Sequence, residues 1–327
     1  MKKLLSLVFV LLLLVSIASC NVNEKSVKKV TIIQLVTHPA LDKATEGIVA
    51  GLEEAGFKDG ENIKITIVNP QAEMDTLDLM AETAVREADI IFCVATPAAQ
   101  AAKAKAEAIA SDVPILFTAV TDAVESGIIP SNQHPGGNIS GTSDLNQVKE
   151  QIAILHELDI NKVGFIYSTG EDNSKIQLKL AKEACNSFDF EMGLQEFPVT
   201  NAAQDLDLTL SAIIGAGLKA VYIPTDNIMA SNMEHIAEVL SAQGIITVGG
   251  EEAHVTNGAT LTYGSVEYFS LGKLTGAMGA KVLNGTKAGD LAVQYSPSTD
   301  LFVNVSKIRE FNLPVSEEFI SKATKTI

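Results

Sequence analysis

The stretch "IIFCVATP" (Ile90–Pro97) places five consecutive apolar residues before an alanine, a threonine and a proline. An apolar run of this length without polar alternation is typical of a strand that is buried on both faces. Proline favours the first turn of a helix, and threonine is common at the position that caps it. The stretch therefore predicts a buried strand whose carboxyl end leads directly into a helix capped by Thr96.

The segments around this stretch repeat the same order of strand and helix. The strand-like "KVTIIQLV" precedes the amphipathic "LDKATEGIVAGLEEAGF", and "NIKITIVNP" precedes "EMDTLDLMAETAVREA". A further apolar run, "VPILFTAV", follows an alanine-rich helix that begins near Pro97. Apolar strands that alternate with helices predict an α/β fold with a parallel sheet covered on both faces.

The second half of the chain repeats this architecture. Thr96 corresponds to Thr225, for example, and matching positions lie about 130 residues apart. We therefore predict two doubly wound parallel-sheet lobes, with a third crossing between them near Ser296–Thr299. The expected first lobe comprises residues 30–143 and about 266–297, and the second comprises residues 144–265 and about 298–327.

The first residues have the layout of an export signal. "MKK" supplies two positive charges, Leu4–Ile17 is almost wholly apolar, and "IASC" ends at Cys20. This layout is typical of a bacterial lipoprotein, whose signal is cut before a cysteine that then carries a lipid. We expect a signal peptide at residues 1–19, a lipidated tether at residues 20–29, and anchoring at the outer face of the cell membrane, or on the periplasmic side if an outer membrane exists. The alternative is an ordinary cleaved signal with an incidental cysteine.

Composition and motifs argue against several classes of function. The formal net charge is −16, which opposes binding to nucleic acid. The five histidines lack the spacing of a zinc site, and no Gly-x-x-x-x-Gly-Lys-Ser/Thr sequence is present to bind ATP. Gly-x-Ser-x-Gly is also absent, and His38 is the one histidine that could serve an enzyme mechanism. We therefore expect no metal, no cofactor and no catalytic activity.

Small polar residues follow the apolar runs at three places, in "IIFCVATP", "PILFTAVTD" and "VYIPTDN". Ligands of open α/β sheets bind beyond the carboxyl ends of the strands, where helix N-termini favour an anion. A small zwitterion would suit such a rim, because its carboxylate can accept from N–H and hydroxyl donors while its ammonium pairs with carboxylates. Either charge would be costly to bury without a partner.

Asp226 is the residue we expect to bind the ammonium group of such a ligand. Thr225 and Asn227 flank it and could add hydrogen bonds to the same group. The ligand carboxylate is expected near Thr96 and the hydroxyl groups of the second lobe. The structural alternative is that Asp226 and Thr96 only cap the helices that follow them.

Eight segments, in this order, carry a resemblance to a known family: "THPALDKATEGIVAGLEEAGF", "ATPAAQAA", "PILFTAVTDAVESGI", "GGNISGTSDL", "VGFIYSTGEDNS", "VYIPTDNIMAS", "GGEEAHVTNGATLTYG" and "LGKLTGAMGAKVLNG". From about Val30 to Asn312 the chain resembles the ABC-transporter substrate-binding lipoproteins of the tryptophan-binding type. The resemblance implies a type 1 periplasmic-binding-protein fold, in which two lobes joined by three strands close on the ligand. It also implies an aromatic amino acid, tryptophan or phenylalanine, as the ligand.

The resemblance further implies a monomer that delivers its ligand to a membrane permease and a separately encoded ATPase. At one position the chain departs from the family, which often has glutamate where this chain has Thr37, so the side-chain preference of the site is open. The residues implied to line the pocket are His38, Pro39, Thr96, Pro97, Thr118, Thr121, Ser143, Ser168, Asn173, Thr225, Asp226, Asn227 and Glu251.

Two alternative functions remain compatible with the sequence. The same transport role could serve a different ligand, such as another amino acid, a nucleobase-like compound or an organic acid. The two lobes could instead form the ligand-sensing part of a signalling receptor. An extracellular enzyme is disfavoured, because a role for His38 in the pocket wall explains that residue more simply.

Overall fold

The computed structural model describes residues 27–187, 192–295 and 300–327. The expected signal peptide, Cys20 and the third crossing at Ser296–Thr299 lie outside these residues. Strands and helices alternate along most of the described chain. The first strand begins at Lys28, so the last two residues of the expected tether, Lys28 and Lys29, belong to this strand. No described helix combines the length and the apolar character needed to cross a membrane.

The strands, in chain order, are β1 (Lys28–Gln34), β2 (Ile63–Val68), β3 (Ile90–Val94), β4 (Ile115–Val120), β5 (Ile139–Ser143), β6 (Lys162–Ser168), β7 (Gly193–Val199), β8 (Ala220–Ile223), β9 (Ile246–Gly249), β10 (Leu261–Tyr263), β11 (Gln294–Tyr295), β12 (Leu301–Val303) and β13 (Lys325–Thr326). The helices are α1 (Pro39–Glu54), α2 (Met74–Glu87), α3 (Thr96–Ala108), α4 (Val148–Glu157), α5 (Asp172–Ser187), α6 (Ala202–Gly215), α7 (Asn227–Ser231), α8 (Met233–Ser241), α9 (Glu252–Thr256), α10 (Tyr268–Leu283), α11 (Val305–Glu310) and α12 (Glu317–Ile320). A short 3₁₀ helix spans Ala288–Asp290.

These strands form two sheets. The first has the order β11-β5-β4-β3-β1-β2, and its described pairs are all parallel. The second has the order β13-β12-β10-β9-β8-β6-β7 and is parallel except where β12 pairs with β10. The predicted α/β fold with two parallel-sheet lobes is confirmed. Late segments of the chain enter both sheets, because β11 lies in the first sheet whereas β12 and β13 lie in the second.

Burial explains why the central strands were readable from the sequence. Every residue of β3 and β4 is buried, as the unbroken apolar runs predict. The edge strand β2 alternates in polarity and is mostly exposed. Cys93 in β3 and Cys185 in α5 are buried free thiols. Each sheet thus has its own apolar core, which holds the carboxyl ends of its strands as a rigid rim.

Helices α1 and α10 pack unusually closely against each other in the first lobe. Four glycines lie at their contact, and a Cβ atom built on any of them would overlap the backbone of the other helix. On Gly272 that Cβ would lie 2.1 Å from the carbonyl oxygen of Ala44, and on Gly276 it would lie 2.3 Å from that of Ile48. Gly47 and Gly51 meet the opposite helix in the same way. This contact fixes α10, whose first residue reaches the site described next.

Candidate functional site

A small cavity of about 10 Å³ lies between the two lobes, at the carboxyl ends of the strands. It is lined by His38, Leu41, Ala119, Thr121, Asp144, Asn173, Thr225, Asp226, Asn227, Glu251 and Tyr268. Seven of these residues were proposed from the sequence, namely His38, Thr121, Asn173, Thr225, Asp226, Asn227 and Glu251.

Three other expected pocket residues lie in neighbouring interlobe pockets. Pro97 and Ser168 line a larger outer chamber that opens beside the cavity. Pro39 lines a pocket next to Tyr268 and the start of α9. These three residues remain near the cleft, but they are not among the residues that line the enclosed cavity.

The remaining three expected residues, Thr96, Thr118 and Ser143, are buried within the first lobe. Thr118 accepts a hydrogen bond of 3.0 Å from Thr142, and Ser143 donates one of 2.8 Å to the carbonyl oxygen of Thr121. The expectation that Thr96 caps α3 is wrong by one position, since the capping residue is Ala95 and Thr96 begins the helix. The Thr96 hydroxyl is buried and has no described hydrogen-bond partner.

Four lining residues were missed by sequence reasoning: Leu41, Ala119, Asp144 and Tyr268. Ala119 has a positive φ of 55°, and the register of β4 shifts beside it, which redirects the end of the strand into the cavity. Asp144 directly follows β5, so the rule of polar strand ends could have found it. Tyr268 follows a crossing segment, where no periodic pattern indicates which side chain points inward.

Asp226 has both carboxylate oxygens engaged within its own lobe. One oxygen accepts hydrogen bonds of 2.6 Å from the Ser168 amide, 2.6 Å from the Ser168 hydroxyl and 2.7 Å from the Ser174 hydroxyl. The other accepts from the Met229 amide at 2.9 Å and caps α7. This arrangement confirms the capping role, and it ties the ends of β6 and β8 together.

Glu171 is a second buried carboxyl group near the cavity that accepts several hydrogen bonds. Its oxygens accept from the Asn173 side chain at 2.9 Å, from the Asn227 amide at 3.2 Å and from the Ile228 amide at 3.2 Å. The Asn227 side chain also donates to it. Burial raises the pKa of Glu171, and the nearby charge of Asp226 raises it further. Glu171 therefore holds two cavity-lining amides in fixed positions.

Asp144, Tyr268 and Glu251 form a cluster on the opposite side of the cavity. The Tyr268 hydroxyl donates to Asp144 at 2.9 Å and also lies within hydrogen-bonding reach of Glu251. Burial raises the pKa of Asp144 to about 6 and that of Glu251 to about 8. Asp144 Oδ1 and Glu251 Oε1 are buried without a described hydrogen-bond partner. Two acceptor oxygens are thus free to bind a donor from a ligand.

The histidines near the cavity do not neutralise these carboxyl groups. His254 Nε2 lies 3.4 Å from Glu251 Oε1, but neither atom makes a hydrogen bond, so the separation is only a contact. Burial lowers the pKa of His254 to about 3, and it also lowers the pKa of His38. Both imidazoles are therefore neutral near pH 7, and Glu251 gains no ion pair from them.

Two long helices begin at the cavity, one from each lobe. His38 is the capping residue of α1, and Leu41 lies in its first turn. Asn173 lies in the first turn of α5. The first N–H groups of a helix have no partner within the helix, and together with the helix dipole they favour an anion. These helix ends would therefore favour the carboxylate of a ligand bound in the cleft.

The lobes contact each other across the cleft through side chains. The polar contacts include His38–Asn227 at 3.3 Å, Thr121–Thr225 at 3.4 Å, Gln100–Asp172 at 2.9 Å and Lys179–Glu125 at 2.9 Å. These pairs close the rim around the cavity. The structure thus represents the state in which a ligand would be enclosed.

The charge of the cavity wall indicates the kind of ligand it accepts. Among the described lining residues there are three carboxyl groups and no lysine or arginine. Nor do the described residues contain a cluster of His, Cys, Asp and Glu arranged to hold a metal ion. Buried carboxylates are stable only when they are paired, so a ligand with an ammonium group would supply the missing positive charge.

The raised pKa of Glu251 predicts an unusual pH dependence of stability. The unfolded chain loses this proton near pH 4.5, whereas the folded chain keeps it to about pH 8, so the folded state binds more protons in between. The free energy of unfolding of ligand-free protein should therefore fall as the pH rises from about 5 to about 8, by on the order of 1 kcal/mol per pH unit. Urea unfolding at a series of pH values measures this slope.

The variant Glu251→Gln removes one titrating proton and should make the slope shallower, while the raised pKa values of Glu171 and Asp144 account for the slope that remains. Glu252→Gln is the matched control, because the Glu252 side chain instead pairs with Lys325 at 2.9 Å. An unchanged slope in Glu251→Gln would contradict the assignment of the raised pKa to this residue.

Two α/β lobes around an enclosed polar cavity define a type 1 periplasmic binding protein, and comparisons with known proteins agree. The family model described as "ABC transporter substrate binding protein" matches residues 29–327. The chain belongs to this family. It is also 33% identical to a "Tyrosine-binding protein" of Clostridioides difficile (strain R20291), over 95% of this chain and 93% of the relative. Members of this family are substrate-binding proteins and not enzymes, as expected from the sequence.

Solved structures give the same fold. An ABC domain from Streptococcus pneumonia in complex with L-Trp has a TM-score of 0.85 at 26% identity, covering 92% of this chain and 100% of that one. A ligand-free, open Clostridium difficile substrate-binding protein with adhesive properties has a TM-score of 0.67 at 34% identity, covering 92% and 99%. The more similar sequence thus superimposes less well. This difference agrees with the closed arrangement of the two lobes in the present structure.

Proposed function

We propose that this protein is the lipid-anchored, extracytoplasmic binding component of an ABC importer, and that it binds an aromatic amino acid between its lobes. The family match supports the transport context, and the ligands named for two relatives, tyrosine and L-Trp, support an amino acid. A permease and an ATPase would be its partners, and the binding component would act as a monomer.

The observation that carries the proposal is the pair of unpartnered carboxyl oxygens on Asp144 and Glu251. An ammonium group has three N–H donors and a positive charge, so it would satisfy both oxygens and stabilise both carboxylates. This assignment replaces our expectation for Asp226, whose oxygens already accept four hydrogen bonds. The ligand carboxylate would lie at the N-termini of α1 and α5.

Calorimetry on the refolded protein tests this proposal. Protein expressed from Asn21 onward would be unfolded and refolded to remove bound ligand, and then titrated with tyrosine, tryptophan, phenylalanine and the other amino acids. Saturable binding of an aromatic amino acid is expected. Glu251→Gln and Asp144→Asn should each weaken it by about tenfold or more, since loss of one partner of a buried charge pair costs several kcal/mol. Glu252→Gln should bind like the wild type.

The other outcomes distinguish the alternatives. Binding of a non-aromatic amino acid, lost in Glu251→Gln, would keep the transport role and change the ligand. No binding of any amino acid would contradict the proposal and direct the search to nucleobase-like compounds and organic acids. Tight binding with no effect of either substitution would show that the ammonium lies elsewhere in the site.

Anchoring through Cys20 is a separate part of the proposal. It rests on the apolar segment Leu4–Ile17 and on "IASC", which ends at that cysteine. Cell fractionation tests it, because Cys20→Ala should release the protein from the membrane fraction. Retention of the variant in that fraction would contradict a lipid anchor at this residue.

A further inference from the structure

We propose that the ammonium group of a ligand displaces a proton from Glu251, so that the protein releases about one proton for each amino acid that it binds. This inference rests on the proposed function and adds a regulation of the same site, because the affinity then depends on pH. It follows from the hydrogen bonds around Tyr268, from the burial of the carboxyl groups, and from the acceptor oxygens around the small cavity.

The hydroxyl group of Tyr268 lies between two carboxyl groups but can donate to only one of them. It has a single hydrogen, which it donates to Asp144 Oδ2 at 2.9 Å. Glu251 is also within hydrogen-bonding reach, and toward it the same hydroxyl oxygen can act only as an acceptor. This second contact therefore needs a proton on Glu251, which donates it to Tyr268.

The surroundings assign the proton to Glu251 and the negative charge to Asp144. Asp144 also accepts from the Thr121 hydroxyl and from its own backbone amide, and such donors stabilise a carboxylate. Glu251 Oε1, in contrast, is buried without a described hydrogen-bond partner. An ionised Glu251 would be a buried charge without a counterion, which is costly.

The other ionisable groups near Glu251 support this assignment. They are His254 in α9, His38 at the cap of α1, and Glu171 and Asp226 on the second-lobe side. Burial lowers the pKa of both histidines, so neither supplies a positive charge near pH 7. The two acids oppose the ionisation of Glu251, whose pKa is raised to about 8, mainly by burial.

Three buried oxygens around the cavity lack a described hydrogen-bond partner: Asp144 Oδ1, Glu251 Oε1 and Asn173 Oδ1. The orientation of the Asn173 amide is fixed, because its nitrogen donates to Glu171 at 2.9 Å and to the Thr225 carbonyl at 2.8 Å. An ammonium group has three N–H donors, so it matches these acceptors in number and in charge. The cavity of about 10 Å³ has room for about one water-sized group, which is the size of an ammonium.

Binding then exchanges one positive charge for another. The Glu251 carboxyl group loses its proton to the solvent, and the resulting carboxylate pairs with the ammonium group, which keeps its three hydrogens. Apart from the ligand's own carboxylate, the net charge inside the cleft stays the same, so the exchange buries no charge without a partner. A ligand whose binding releases protons binds more tightly as the pH rises.

The affinity for an amino acid should therefore rise by about tenfold per pH unit between about pH 6 and about pH 7.5. It should level off above about pH 8, where Glu251 is ionised in the free protein as well. Below about pH 6 the rise should be steeper, because burial raises the pKa of Asp144 to about 6 and this group then takes up a second proton.

Calorimetry of the refolded protein counts the released protons. L-tryptophan, or L-tyrosine if L-tryptophan does not bind, is titrated at pH 7 in phosphate and in Tris, two buffers with very different ionisation enthalpies. The difference between the two binding enthalpies gives the number of protons released, which we expect to be close to one. Repeating the titration at a series of pH values gives the slope of the affinity.

Glu251→Gln should release almost no protons, and its weaker binding should hardly change between about pH 6.5 and about pH 8. Glu252→Gln is the matched control and should release as many protons as the wild type, because its side chain pairs with Lys325 at 2.9 Å. If Glu251→Gln binds too weakly for calorimetry, the proton count and the pH slope of the wild type still decide whether binding releases a proton.

The outcomes separate this inference from the proposed function. Wild-type protein that binds an amino acid with equal enthalpies in the two buffers and with a flat pH profile would overturn the inference and leave the proposed function intact. Proton release that persists in Glu251→Gln would also overturn it, since another carboxyl group, such as Glu171, would then be the source. Failure of the wild type to bind any amino acid would overturn the proposed function itself, and the inference with it.

Discussion

Replacing Gly276 with valine is expected to destabilise the first lobe strongly. The added side chain would start 2.3 Å from the Ile48 carbonyl oxygen, and it would also meet the backbone of Gly51 and Leu52 at about 3.0 Å. Backbone of a long helix cannot move aside as the end of a flexible side chain can. Overpacking a core usually costs about 1–3 kcal/mol, and we expect at least the upper end here. Thermal unfolding of ligand-free protein measures the loss.

Gly215→Ala is the matched control for this substitution. Gly215 is the last residue of α6, and a Cβ built on it meets no atom within 4 Å. Its replacement should be neutral or should stabilise the protein by up to about 1 kcal/mol, because alanine restricts the unfolded chain. A Gly276→Val variant as stable as Gly215→Ala would contradict the close helix contact.

Asp226→Ala is expected to have the second large effect, and the effect should be on folding. The substitution leaves the Ser168 and Met229 amides without their acceptor and removes two hydroxyl bonds, all in buried surroundings. Each buried donor left without a partner costs about 1–3 kcal/mol, so the second lobe should lose several kcal/mol of stability. Urea unfolding without ligand measures this loss.

Comparison with Glu251→Gln separates a structural role from a ligand role. The Glu251→Gln protein should be at least as stable as the wild type near pH 7 and should lose affinity, whereas Asp226→Ala should lose stability in the absence of any ligand. If Asp226→Ala kept the wild-type stability and lost only binding, the ammonium would belong to Asp226, as we expected from the sequence.

The fold was largely predictable from the sequence because each long buried strand leaves a local run of apolar residues. The apolar run around Phe92 identified a buried strand, and the repeat of Thr96 in Thr225 identified a second, similar lobe. The short strands β10 to β13 carry only two or three residues each, too few for a periodic pattern. Their sheet membership depends on pairing with distant segments, which no local pattern encodes.

The candidate site was less predictable, because its side chains are positioned by segments that are distant in the sequence. Asn227 and Glu251, which lie a few residues after the four-residue strands β8 and β9, line the cavity, where the strand-end rule led us to expect polar groups. The rule could not tell that Asp226 accepts hydrogen bonds from Ser168 and Ser174, because these residues lie at the end of β6 and in α5, 58 and 52 residues earlier in the chain. Tyr268 lies at the site because α10 packs against α1, and this contact between distant segments leaves no local pattern in the sequence.

The few polar contacts across the cleft have a consequence for how long a ligand stays bound. The Lys179–Glu125 pair has both side chains more than half exposed, and exposed ion pairs contribute about 0–1 kcal/mol. This exposed pair therefore adds little to the stability of the closed form, and the enclosed ligand must supply much of the energy of closure. Residence time is then set mainly by the ligand's own contacts, so loss of those contacts should be enough for the lobes to reopen and release it.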